Sequence, residues 1–181
     1  MFSPVLEKIK QEYKDLCQNP LSSFGFSLGL ENENDITKWR FTLLAPPDCS
    51  YKGGFFKLSA QFPNGYPNVP PQICFLTPIY HLNVNEFAHS YLQGDPLGSI
   101  CLGPLDFWKP NYTMRELICS IYSLFYYGNP HCAYNLNKAD EYRYSRDVYE
   151  EKIKYFTKKY AKSDHQINYN INQDWNFTVA H

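Results

Sequence analysis

Cys101 stands in the run Gly98-Ser99-Ile100-Cys101-Leu102-Gly103, with Trp108 and Pro110 close behind it. A thiolate is a strong nucleophile, and a thioester formed on it stays reactive toward amines, so a reachable cysteine suits covalent acyl transfer. The glycines around it permit unusual backbone angles and the close approach of another chain. The other cysteines, at 17, 49, 74, 119 and 132, are read as small buried hydrophobes, with Cys119 in an apolar helical pattern between Ile118 and Ile121. No Cys-x-x-Cys pair occurs, which argues against a zinc ribbon or a thioredoxin-like motif, and the cytoplasmic or nuclear place expected below implies reduced thiols. His81, His89 and His131 can in principle partner Cys101 in a cysteine hydrolase, but the glycine-cysteine-tryptophan signature of the papain kind is missing.

The surrounding elements must hold this loop. Ser3-Pro4 has the form of a helix start, and Val5, Ile9, Tyr13 and Leu16 then recur on one face to about Cys17. Strand-like segments follow. "FGFSLGL" is the first, "TKWRFTLL" alternates Trp39, Phe41 and Leu43, "FFKLSAQF" alternates Phe56, Leu58, Ala60 and Phe62, and "QICFL" is the last. Their short links predict an antiparallel meander rather than parallel units. From Thr77 to Tyr112 there is no periodicity, and a stretch that long inside a domain is usually functional or disordered. Thr113 to Glu116 has capping-box form ahead of Leu117, Ile118, Ile121, Leu124 and Phe125, and Gly128-Asn129-Pro130 is read as the stop. A last helical region, from about Asn137 to Ala161, divides into two pieces with Tyr149, Ile153, Phe156 and Tyr160 on one side. The expected class is α+β, with a catalytic core over residues 1–162 and a tail or docking extension over 163–181.

Bulk properties exclude other functions. With 181 residues, 44% of them hydrophobic, the chain can bury a core without disulfides or metal. A net charge of −1 offers no broad nucleic-acid face, and the basic residues of "EEKIKYFTKKYAK" read as a solvated helix side. The N-terminus has no apolar signal core, and no run approaches the ~18 residues a membrane helix needs. A cytoplasmic or nuclear place is expected, with no membrane partner. No phosphate loop, dinucleotide fingerprint or metal-ligand pattern is present, so no cofactor or metal is expected.

The run "FKLSAQFPNGYPNVPPQICFLTPIYHLNVN", then "GSICL", Trp108 and Pro110, then "LICSIYSLFYYGNP", resembles the ubiquitin-conjugating enzymes. The resemblance is collinear from about Ser3 to Ala161 and includes the proline run Phe62, Pro63, Tyr66, Pro67, Pro70 and Pro71. It implies that Cys101 accepts ubiquitin or a ubiquitin-like protein as a thioester from an activating enzyme, which is where ATP is used. The cargo would then pass to a substrate lysine or a ligase cysteine. The implied partners are therefore the modifier, the activating enzyme, a ligase and substrate proteins. By the same resemblance Asn83 matches the asparagine of the His-Pro-Asn motif, which supports the active-site loop and the thioester oxyanion. His81 matches its histidine, a structural residue, and Trp108 and Pro110 brace the loop.

Departures from the family pattern set further expectations. Leu82 replaces the motif proline and brings an N–H that needs a partner. The connection from Asn83 to Cys101 is roughly ten residues longer than in the family, which reads either as a functional loop that brings Phe87, His89 and Tyr91 near the thiol or as a neutral surface insertion. His131 and Cys132 stand where many relatives have an acidic residue that prepares the incoming lysine, and His131 has a suitable ordinary pKa for that work. Asn68 replaces a ligase-contacting aromatic. The alternative reading is a family-like module that binds ubiquitin without catalysis.

Overall fold

The computed structural model describes residues 3–86 and 95–163. Helix α1 (Pro4–Gln18) starts as the Ser-Pro pair predicts, with extended Ser3 at its N-cap, although the Ser3 hydroxyl makes no capping bond. It buries Ile9 and Leu16, and Tyr13 sets its ring edge-on to Trp39.

Strands β1 (Ser27–Leu30), β2 (Lys38–Leu44), β3 (Phe55–Gln61) and β4 (Gln72–Phe75) form one antiparallel sheet in chain order, the expected meander. The first is shorter than its sequence pattern, because Ser22–Phe24 winds into a 3-10 turn. The alternating residues of β2 and β3 lie opposite each other, Trp39 against Ala60, Phe41 against Leu58 and Leu43 against Phe56, and all six are buried. Such same-face pairs are the unit of sheet stability, and a one-residue slip would turn them all to solvent.

Helix α2 (Gly103–Asp106) is one short turn after Cys101. Helix α3 (Met114–Ser123) has the full reciprocal capping box, Thr113 Oγ1 accepting from Glu116 N and Glu116 Oε2 accepting from Thr113 N. It ends at Ser123, ahead of the expected stop. Leu124 and Phe125 continue as a turn and remain buried. Helices α4 (Leu136–Tyr144) and α5 (Arg146–Tyr160) are the two expected pieces, divided at Ser145.

Buried Glu12 ties the helices to the proline run. Its carboxylate accepts from Tyr66 Oη at 2.5 Å and from Met114 N at 2.6 Å. The second bond places a carboxylate at the N-terminus of α3, where the helix dipole favours it.

Between β4 and α2 the described residues are irregular but built in. Residues 79–86 are buried throughout. Isolated bridges join Cys74 to Ser99 and Val84 to Ile100, so residues 98–100 lie along β4. Gly98 has φ +80°, and a Cβ there would collide with the Phe75 carbonyl. Its role is thus close approach to β4, with Phe75 N donating to Gly98 O at 2.8 Å, rather than access for a partner chain. The reading of every other cysteine as buried is corrected at Cys17 and Cys119, which are exposed. Cys119 is one residue past buried Ile118, and each helical residue turns about a quarter revolution further round the axis. Phe87, His89, Tyr91 and residues 164–181 of the expected tail lie outside the described residues.

Candidate active site

Cys101 is half-buried where the 98–100 segment leaves the sheet and α2 begins. Its N–H donates to Asn83 O at 2.9 Å. Its sulfur meets that of Cys132, thirty-one positions away in sequence (separation 31), with the two Cα atoms 6.1 Å apart. That Cα separation is ordinary for a disulfide. Cys17, Cys49, Cys74 and Cys119 have no cysteine partner, whereas Cys101 and Cys132 are close enough for a disulfide to join them. The spacing in sequence gave no sign of it, because the contact is made by the turn Pro130–Cys132 folding back over α2.

Asp106 is the third member of the cluster. Its Oδ2 lies 3.6 Å from Cys101 Sγ and 3.8 Å from Cys132 Sγ. Burial, and secondarily the Asp95 charge, raise its carboxyl above the usual carboxylate range. Sequence reasoning missed it. The available signal was the helical turn opened by Gly103-Pro104, which folds Asp106 back toward the thiol.

Asn83 is fully buried and holds the two sides of the site together. Its Nδ2 donates to Asn129 O at 2.8 Å and Cys132 O at 2.7 Å, while its Oδ1 accepts from Asn129 N at 2.7 Å. Both amide hydrogens therefore serve the 129–132 turn. His131 is exposed on that turn, its N–H donating to Asn129 Oδ1 at 3.0 Å.

His81 is buried beneath Asn83. Its Nδ1 accepts from Asn83 N at 3.0 Å, so the ring proton is on Nε2, which donates to Leu124 O at 3.1 Å. Burial is the main cause that lowers its pKa to about 3, with the Leu124 carbonyl opposing. This agrees with a structural histidine. Between about pH 3 and 6.5 the unfolded chain takes up a proton here that the folded chain does not. Stability due to this group is thus fully present above pH 6.5 and falls with decreasing pH through that window. We expect a loss of about 3 kcal/mol between pH 7 and pH 4, read as urea midpoints and missing from His81→Gln.

The extra N–H of Leu82 finds its partner in Tyr149 Oη at 3.1 Å, and Leu82 O accepts from Tyr134 N at 2.9 Å. The leucine side chain is fully buried and occupies the space a Cβ on Gly128 would need. Leucine in the motif is thus matched by a tyrosine on α5 and a glycine after α3. Trp108 Nε1 donates to Pro67 O at 2.6 Å, and its ring meets Tyr66 and Tyr112, tying the chain beyond α2 to the proline run. Pro110 is exposed in the turn that follows, and Asn68 is exposed as well.

The connection between Asn83 and Cys101 is anchored at both ends on one segment. Glu86 accepts from Asn135 Nδ2 at 2.6 Å and is paired with buried Lys138, while Asp95 Oδ2 accepts from Tyr134 Oη at 2.8 Å. Asn85 Nδ2 also donates to Asp95 O at 3.0 Å, closing the neck of the loop. Among the described residues, no helix is long and apolar enough to cross a membrane.

Known proteins match most of the chain in sequence. The profile of the family described as "Ubiquitin-conjugating enzyme" matches residues 8–157. The chain is 33% identical over 159 residues to ubiquitin-conjugating enzyme E2 13 of Arabidopsis thaliana, covering 80% of this chain and 89% of that one. It is 34% identical over 151 residues to ubiquitin-conjugating enzyme E2 7 of the same plant, with the same coverage. To ubiquitin-conjugating enzyme E2 14 it is 32% identical over 155 residues, covering 80% of this chain and 88% of that one. The meander, the helix order and these matches give one conclusion: the chain is a transferase that belongs to the ubiquitin-conjugating enzyme family.

Proposed function

We propose that the chain, with Cys101 reduced, carries ubiquitin or a ubiquitin-like protein as a thioester and delivers it to a substrate lysine or a ligase cysteine. The Cys101 thiolate attacks the modifier's C-terminal carbonyl on the activating enzyme, the new C–S bond forms, and the activating enzyme's thiolate leaves. ATP is consumed on the activating enzyme, so no cofactor is needed here. The observation that carries the reading is half-buried Cys101 at the start of α2, its N–H held by Asn83 O.

In the second step an amine attacks the thioester and must lose a proton, since lysine is protonated at neutral pH. We assign the proton to Asp106, beside the sulfur, and to His131, on the adjoining turn, as acceptors. Asn83 acts through the turn that it holds, and an oxyanion bond from its amide would replace one of its two carbonyl bonds. Trp108 carries the brace behind the loop, with Pro110 shaping the turn beyond it.

Asp106→Asn is expected to leave charging near wild type while slowing discharge to free lysine by about 10²-fold, the lower range for a lost acid–base group. His131→Ala should give a smaller decrease. Discharge at wild-type rate in both variants would assign the cargo to a ligase cysteine instead.

The reading as a whole is tested by charging. The reduced chain is mixed with ATP and the matched activating enzyme for each of several ubiquitin-like proteins and run on non-reducing gels. A reductant-sensitive adduct lost in Cys101→Ala is expected with one cargo, and Cys101→Ser should retain a reductant-resistant oxyester. No adduct with any matched pair would leave the binding-module reading in its place.

A further inference from the structure

We infer that Cys132 is a resolving cysteine, making the active-site pair a reversible modification site for peroxides. The inference rests on the reading of Cys101 as the acyl carrier. The two cysteines come from different elements, Cys101 ahead of α2 and Cys132 on the 130–132 turn, and their Cα atoms stand 6.1 Å apart, a separation that a disulfide spans. Both are half-buried, so a small oxidant reaches them without unfolding. The turn carrying Cys132 is fixed by Asn83, which bonds the Cys132 carbonyl itself at 2.7 Å. Asn83 also receives the Cys101 N–H, so one buried residue sets the position of both thiols. Cys17, Cys49, Cys74 and Cys119 have no such partner and remain free.

The chemistry balances with hydrogen peroxide as oxidant. The Cys101 thiolate attacks one peroxide oxygen. An S–O bond forms, the O–O bond breaks, and hydroxide leaves to become water on protonation. The Cys132 thiolate then attacks the Cys101 sulfur, the S–S bond forms, and the sulfenic oxygen leaves as a second hydroxide. Two thiols have lost two electrons and one peroxide has become two waters. A dithiol reductant reverses the result by exchange. While joined, Cys101 has no thiolate to accept a modifier. The bond also stops the thiol before the irreversible sulfinic stage, which is the chemical advantage of a nearby second cysteine. Intracellular disulfides of mesophiles are usually transient and catalytic or redox-sensing, and a bond across an acyl-carrier thiol fits that class.

The full-length chain is reduced, desalted, exposed to hydrogen peroxide, freed of peroxide by catalase, and divided. One part is digested without reduction and mapped by mass. The other is charged with the activating enzyme, before and after a dithiothreitol step followed by desalting. The expected map shows a peptide linking Cys101 to Cys132, with charging lost in proportion to the linked fraction and regained in full on reduction. Cys132→Ser should charge when reduced, and at the same peroxide dose its Cys101 should become sulfinic acid, with charging not regained. Wild-type chain that forms no linked peptide, or that goes to sulfinic acid as readily as Cys132→Ser, would overturn the inference. The map is independent of activity. A linked peptide in a chain that never charges would refute the carrier reading alone, and normal charging without the link would refute the resolving role alone.

Discussion

Lys138→Met is expected to destabilise the folded chain by about 3–5 kcal/mol, the usual cost of removing one partner from a buried ion pair. Lys138 and Glu86 are 2% and 4% exposed and in direct contact. The Lys138 ammonium also lies 4.1 Å from the centre of the Tyr80 ring. Burial lowers the lysine's pKa, and Glu86 opposes the shift by favouring its charged form. Methionine fills the aliphatic space but, among the described residues, leaves the Glu86 carboxylate with Asn135 Nδ2 as its neutral donor. Domains of this kind are stable by about 5–15 kcal/mol, so the change takes a large share. Adding Glu86→Gln should restore most of the loss, since an amide needs no counter-charge and its oxygen can still accept from Asn135. Urea midpoints for the two single variants and the double variant give the coupling directly. Equal midpoints in Lys138→Met and wild type would show that the pair does not anchor the loop neck.

The second large effect is at Asn83. Asn83→Ala removes one buried acceptor and two buried donors, orphaning Asn129 N, Asn129 O and Cys132 O. Unsatisfied buried groups cost about 1–3 kcal/mol each, discounted here because the exposed turn can relax toward water. We expect about 3 kcal/mol of lost stability in total. The turn that it releases carries His131 and Cys132, and a misplacement of roughly 1 Å can cost 10²-fold in rate. Single-turnover discharge of preformed thioester to free lysine should therefore fall by about that factor, alongside the urea midpoint. The joint fall distinguishes support from direct catalysis. A slow discharge at unchanged stability would mark Asn83 as an oxyanion donor, and an unchanged discharge would remove it from the site.

Most of the scaffold was legible because it follows local periodicity. The alternation of Trp39, Phe41 and Leu43 against Phe56, Leu58 and Ala60 fixes two central strands and their inward faces. Thr113 and Glu116 mark a helix start through a bond pattern contained within four residues. The glycine before Cys101 was legible as a special backbone position, although Gly98 serves the approach to β4. What was not legible depends on residues far apart in sequence. Cys132 meets Cys101, Tyr149 satisfies Leu82, and Lys138 neutralises Glu86 only after α3, α4 and α5 have packed. No short window contains both members of any of these pairs. Asp106 was nearer, but its meaning depends on the direction of a single helical turn.

The most direct test of the central claim is to locate the bond formed during charging. The reduced chain would be loaded once with its matched modifier, quenched in acid, digested, and the modified residue identified by mass. The account predicts the modifier's C-terminal carboxyl on Cys101, in a linkage cleaved by thiols and lost in Cys101→Ala. An adduct on Cys132 or on a lysine, or one that persists in Cys101→Ala, would contradict it.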